Sequence, residues 1–202
     1  MKKWLIPLIV VGVIVFALYN WAVGFNNTAI EHQENAKTAW SNVESSYQRR
    51  NDLIGNLVKT VQGAADFEKS TLKEVIEARA AATKTTINAG DLTPEKMAAF
   101  QKAQSGLTGA LSKLMVVVER YPDLKANKNF LELQSQLEGT ENRINVARDR
   151  FNEGVNVYNK HIKKFPGSIL AGIFNFDDMI RYKAEAGSEK APDVKFDFNG
   201  KK

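Results

Sequence analysis

The sequence predicts an all-α protein in which an N-terminal transmembrane helix is followed by an elongated up-and-down four-helix bundle. Three features carry that prediction. Phe130, Leu133, Leu137, Thr140, Ile144, Ala147, Phe151, Gly154, Tyr158, His161 and Phe165 recur at spacings of three and four, the seam of one long helix in a coiled-coil-like packing. Trp4 to Val23 carries no charged side chain, and at about 1.5 Å per residue it matches the roughly 30 Å hydrocarbon core of a bilayer. A second seam follows it directly, from Ala29 through Gln33, Ala36, Trp40, Val43, Tyr47, Arg50, Ile54 and Leu57 to Val61.

Trp4 stands at one end of the apolar run and Tyr19 and Trp21 near the other, where amphipathic aromatics sit at membrane interfaces. Lys2 and Lys3 precede the run, whereas Glu31 and Glu34 come before the first lysine beyond it. The positive-inside bias therefore places the N-terminus in the cytoplasm and the bulk of the chain on the extracytoplasmic side of a bacterial inner membrane. A cleaved signal peptide is the alternative, but the apolar core is long for one and no clean small-x-small site follows it. The expected organisation is a membrane anchor over residues 1–25, the bundle over 26–165, a short apolar helical segment over 166–182 and a flexible tail over 183–202.

The first bundle helix runs to about Gln62. Gly63 to Asp66 offers a break and a new cap, and the next helix, rich in Ala and Thr, extends to about Ile87. Asn88 to Asp91 reads as a turn, and Thr93-Pro94 as a cap followed by proline at the first helical position. Met97, Phe100, Gln104, Leu107, Leu111, Leu114 and Val118 form the third seam, which ends at Arg120-Tyr121-Pro122. Asn127 can cap the long last helix, and Pro166-Gly167 stops it. In this topology the last helix returns to the membrane. One continuous helix over residues 26–87 would instead send Phe165 away from it. The apolar stretch Ser168 to Phe176 is too short to span; it lies in the interface plane or folds back on the bundle end.

No cysteine is present, so disulfides and thiolate metal sites are excluded. The net charge of +5 is spread over alternating acidic and basic residues, the pattern of solvated helix faces. No phosphate-binding glycine loop, nucleophile elbow or histidine pair with metal spacing occurs, so no catalytic, cofactor-binding or metal residue is nominated and no cofactor is expected. His32 and His161 read as structural histidines on separate helices. Arg50 lies on an apolar seam and calls for a carboxylate, which Glu138 or Glu141 of the last helix would supply in an antiparallel pairing. Lys160, Lys163 and Lys164 at the end of that helix form a cationic cluster beside the lipid head groups. Tyr121, Pro122, Asp123 and Leu124, at the end distal to the membrane, form the loop best placed for a partner. In the tail, Val194 to Phe198 has the alternation to add to a partner's sheet edge.

Trp40-Ser41-Asn42-Val43, Tyr47-Gln48-Arg49-Arg50-Asn51-Asp52-Leu53-Ile54, Tyr121-Pro122-Asp123-Leu124-Lys125-Ala126, Thr140-Glu141-Asn142-Arg143-Ile144 and Phe165-Pro166, in this order, resemble the LemA family of bacteria. The resemblance implies a single-pass membrane protein with a four-helix up-and-down bundle and brings no activity with it. Gly55 stands where that family usually has proline, and Ile180 to Lys183 replaces a more aromatic pattern. The expected role is a non-enzymatic, membrane-tethered scaffold or adaptor of the cell envelope. Its expected partners are the membrane, an envelope protein or a second copy of the chain, and nucleic acid is not among them. The alternative is a bundle that binds a lipid or anionic small ligand at the membrane surface.

Overall fold

The computed structural model describes residues 4–63 and 67–183, and among these the chain is all-helical. The helices are α1 (Leu5–Gln62), α2 (Lys69–Lys84), α3 (Pro94–Val118), the short α4 (Pro122–Lys125), α5 (Lys128–Lys163) and α6 (Gly167–Ile173). Lys2 and Lys3, residues 64–66 of the expected break with its cap at Asp66, and the chain from residue 184, with its Val194 to Phe198 segment, lie outside the described residues.

Helix α1 is a single rod of 58 residues, roughly 87 Å long, that carries the apolar run and the first bundle seam without interruption. Its apolar window is long enough to cross a membrane, and none of it is buried against the rest of the chain. Beyond it Ala29, Ala36, Trp40, Val43, Tyr47, Arg50, Ile54, Leu57 and Val61 of the predicted seam are all buried, and Gln33 alone is half-buried, one turn beyond Ala29. The rod ends at Gly63, and α2 folds back along it: Arg79 donates from Nε to the Asn51 carbonyl at 2.8 Å. Residues 26–87 are therefore not one helix.

Helix α2 stops at Lys84, one turn short of the expected Ile87. Thr83 and Thr85 turn their hydroxyls onto the Arg79 and Ala81 carbonyls, and a β-branched run of this kind is a weak helix former. The early stop frees the Ile87 carbonyl, which accepts the Trp40 indole N–H at 2.7 Å in the core. Thr93 caps α3 with Pro94 in its first turn, and Asn127 caps α5 by accepting from the amides of Asn129 and Phe130.

Helices α1 and α5 run antiparallel, with Arg50 level with Glu141 and Phe25 level with His161. Helices α2 and α3 form a second antiparallel pair, bridged by Lys113 to Glu74 and Arg120 to Glu68. The core falls into three clusters, two between the pairs and a third between α1, α5 and α6. The one farthest from the apolar run gathers Leu57, Leu107, Leu114 and Phe130. The middle one centres on Trp40, Phe100 and Phe151, and the third on Phe25, Tyr158, Ile162 and Leu170.

The seam of α5 departs from prediction in its second half. After Phe151 the buried residues are Val155, Tyr158 and Ile162, while Gly154 and His161 are half-buried and Phe165 is exposed. A straight helix drifts by about 20° per heptad against a strict seven-residue repeat, so over five heptads the seam moves by roughly 100°, the angle between neighbouring residues. Ile162 thus takes the place expected for His161. Gly154 has another use: a Cβ there would lie 3.2 Å from Ala36 Cα, so its absence lets the α1 and α5 backbones approach.

Candidate functional site

The end of α5 returns to the foot of the apolar run on α1. Phe25, just beyond that run, stacks on His161 with ring centroids 4.6 Å apart, and His161 Nε2 lies 3.2 Å from the Phe25 carbonyl. A carbonyl only accepts, so this nitrogen carries the proton. The His32 ring meets His161 edge to face at 5.4 Å, so the two histidines are neighbours and not the separate residues expected. Among the described residues no group of three or more His, Cys, Asp or Glu could hold a metal ion.

Helix α6 closes this end. Gly167 lies flat against Phe25, where a Cβ would come within 2.5 Å of the ring, and Leu170 and Ala171 are buried beside Ala29 and Ile162. Lys160, Lys163 and Lys164 are all exposed here, as are Tyr19 and Trp21 at the near end of the apolar run and Trp4 at its far end. The cluster is less cationic than its sequence indicates, because Lys163 is paired with Asp178 and Asp177 is adjacent.

Only Gly167–Ile173 of the expected apolar helical segment is helical. From Phe176 the chain runs extended, back along α5, as a strap that sequence analysis missed. Asn159 donates to the Met179 carbonyl at 2.7 Å and accepts from its amide at 2.9 Å. Asn152 does the same for Tyr182, at 2.9 and 2.8 Å. Two helical turns rise about 10.5 Å, and three residues of extended chain cover nearly the same distance. Two asparagines seven apart on one face can therefore serve backbone positions three apart. That spacing is visible in the sequence and was the available signal.

The strap plugs Tyr182 into the core, with its hydroxyl 2.9 Å from that of Tyr47 and the Arg148 guanidinium 4.0 Å over its ring. Burial, and next the neighbouring Tyr182, push the Tyr47 hydroxyl far above its ordinary range, while Arg148 and Arg50 oppose this more weakly. Burial likewise raises Tyr158, helped by Asp177 and Asp178; its hydroxyl donates to the Asp177 carbonyl at 3.0 Å. A raised phenol is held neutral in the fold, so its contribution to stability is complete below the unfolded value near 10 and is lost as pH rises above it. Urea denaturation of the full chain in micelles should show a midpoint that falls steeply above about pH 10, and Tyr47→Phe should flatten that fall. An unchanged pH profile in Tyr47→Phe would contradict the assignment.

The interior polar layer forms around Arg50. Its Nη2 donates to Thr108 Oγ1 at 2.7 Å, and Nη1 lies 3.6 Å from Glu141, whose side chain is half exposed. Such a long, part-solvated pair contributes little, so the threonine contact and packing hold the arginine. Glu138 stands apart from this layer: it is exposed and accepts from Gln134 on its own helix at 3.3 Å, because it lies nearly a turn before Glu141 on α5. Outside the layer, Arg49, Arg143 and Arg150 line an open cleft of about 610 Å³ between α1 and α5, floored by Thr140 and Ala147.

At the far end, the expected partner loop is partly core. Leu124 is buried and Tyr121 packs on Phe67 at 4.9 Å, which leaves Pro122 and Asp123 exposed. Stripping all four side chains would therefore damage folding as well as any contact.

Comparison with known proteins decides the family. The LemA family signature matches residues 39–196, most of the chain. The chain belongs to the LemA family. Curated relatives of this LemA-family chain include Magnetosome protein MamQ of Magnetospirillum gryphiswaldense, 30% identical over 74% of this chain and 61% of the relative. Magnetosome protein MamQ 1 of Paramagnetospirillum magneticum is 29% identical with the same coverage. Protein LemA of Metamycoplasma hominis is 25% identical over 71% of this chain and 62% of the relative. The chain thus matches about three-fifths of the length of these relatives, 61 to 62%.

Proposed function

We propose that this chain is a membrane-tethered, non-enzymatic scaffold or adaptor of the bacterial cell envelope. The first five to six turns of α1 cross the inner membrane with the N-terminus in the cytoplasm, and a four-helix bundle stands on the extracytoplasmic side. The observation that carries this reading is the division of α1. Its apolar run is exposed from Trp4 to Trp21, and the fold begins at Ala22 and Phe25, where α5 and α6 return to meet it. A soluble bundle has no use for such an uncovered run, whereas lipid covers it. The half-exposed cationic and polar faces beyond it suit contact with another protein or a second copy.

Cross-linking with mass spectrometry on intact membranes carrying the full chain tests the scaffold. Links between copies, or reproducible links to one envelope protein, are expected. Links confined within single chains would overturn it. The alternative role, binding of a lipid or anionic small ligand, draws on the row of Arg49, Arg143 and Arg150 along the α1–α5 cleft. Native mass spectrometry of the purified chain should then show a stoichiometric anionic adduct, lost in Arg143→Ala.

A further inference from the structure

Helix α6 carries no charged side chain, and its one polar side chain is the exposed Ser168. One side, Gly167, Leu170 and Ala171, is buried against α1 and α5. The other side carries Ile169 and Ile173, 57% and 65% exposed, and is flanked by Phe165 at 82% and Phe174 at 40%. A surface helix of a soluble bundle turns charged and polar residues to water, and one that turns isoleucines outward with a single serine is covered by something. Four large apolar side chains clustered at one end of a fold exceed the scattered exposure that is ordinary for a surface.

The position of α6 says what covers it. Its inner face packs in the cluster that holds Ala22, Phe25 and Ala29 of α1. Ala22 belongs to the apolar run itself, and the stretch from Ala22 to Ala29 rises about 10 Å. If the run fills the hydrocarbon core, α6 lies within the head-group layer, which adds roughly 5–8 Å on each side. Its outer residues then continue the apolar surface of α1 sideways at the level where interfacial helices rest. Charge contributes second. Lys160 and Lys164 are exposed near this end, but the Lys163 pairing and Asp177 offset much of the local positive charge.

We propose that α6 is a second membrane contact: Phe165, Ile169, Ile173 and Phe174 insert into the leaflet of the bilayer that α1 crosses. The body is then held at two points, so it stands at a fixed orientation on its tether. The proposal rests on α1 spanning the membrane, and it commits to lipid as the occupant. Because apolar insertion dominates, the contact persists at high salt.

The chain has no cysteine, so single cysteines can be introduced and spin-labelled in the full-length protein. Three positions suffice, in nanodiscs of phosphatidylethanolamine and phosphatidylglycerol: Ile173→Cys on α6, Val13→Cys in the apolar run and Val116→Cys, exposed on α3. Collisions with oxygen report lipid, and collisions with a water-soluble nickel chelate report water. The expected result is an oxygen-to-nickel ratio at Ile173 several-fold above that at Val116, unchanged in 1 M salt, with Val13 higher still. A ratio at Ile173 equal to that at Val116, while Val13 remains lipid-exposed, overturns the proposal and leaves the tether standing. Shielding of Ile173 from both reagents means a second copy or another protein covers α6, and overturns it too. Nickel access at Val13 would instead remove the tether, and the proposal with it.

Discussion

Trp40→Ala is expected to lower the stability of the helical body beyond the apolar run by about 3–5 kcal/mol, a large fraction of the 5–15 kcal/mol that holds a domain of this size. The indole is fully buried and meets Phe151 at 5.0 Å and Phe100 at 5.7 Å, both edge to face. Truncation opens a cavity between aromatics contributed by three helices. It also strands the Ile87 carbonyl, whose partner in the core is this indole. Trp40→Phe separates the two losses, since it keeps most of the apolar volume but removes the N–H, and should cost about 1–3 kcal/mol. Urea unfolding of the full chain in micelles, followed by far-ultraviolet circular dichroism, measures both. A Trp40→Ala chain within about 1 kcal/mol of the parent would mean that this core does not organise the fold.

Gly154→Leu should be nearly as damaging. The contact that fills its place is the Ala36 backbone, 3.2 Å from where a Cβ would sit, and a backbone in the middle of a 58-residue helix cannot move aside as a side chain can. The leucine must separate α1 from α5, at the upper end of the range for overpacking, about 3 kcal/mol. Gly154→Ala is a useful companion. It gains up to about 1 kcal/mol of helix propensity and adds one tight contact, so it should be close to neutral. Equal stability of the leucine and glycine chains, by the same unfolding measurement, would contradict the close approach.

Position 55, where the resemblance led to an expectation of proline, has a local use for its glycine. Here α1 runs straight through Gly55, and the Arg79 guanidinium lies over it, where a Cβ would come within 3.0 Å of Nη2. The same guanidinium donates to the Asn51 carbonyl, the helical acceptor one turn before Gly55.

Much of the architecture was legible because helical burial is written in periodicity. The seam of α1 from Ala29 to Val61, the cap at Thr93-Pro94 and the cap at Asn127 are local rules acting on local residues. The apolar run from Trp4 to Val23 is equally self-declaring, since its length and composition need no partner to be read. The strap was not legible. Asn152 and Asn159 could as well have been solvated, and their use depends on where residues 179 and 182 arrive after a separate helix. Glu138 and Glu141 were equivalent candidates in the sequence, and the axial register between α1 and α5 chose Glu141. The loop from Tyr121 to Leu124 looked free because the aromatic it packs on, Phe67, is far away along the chain.

By itself, then, the sequence determined the all-helical class, the apolar rod, the family and most of the buried seam residues, because each follows from spacing within one element. Only the tertiary structure decided that His161 yields its core position to Ile162 as the seam drifts, that His32 and His161 meet, and that α6 lies against Phe25 with an apolar face turned outward. These depend on the rotation and register of helices distant in sequence. A spacing rule fixes which face of a helix is buried, but the packing of one helix on another fixes what that face touches.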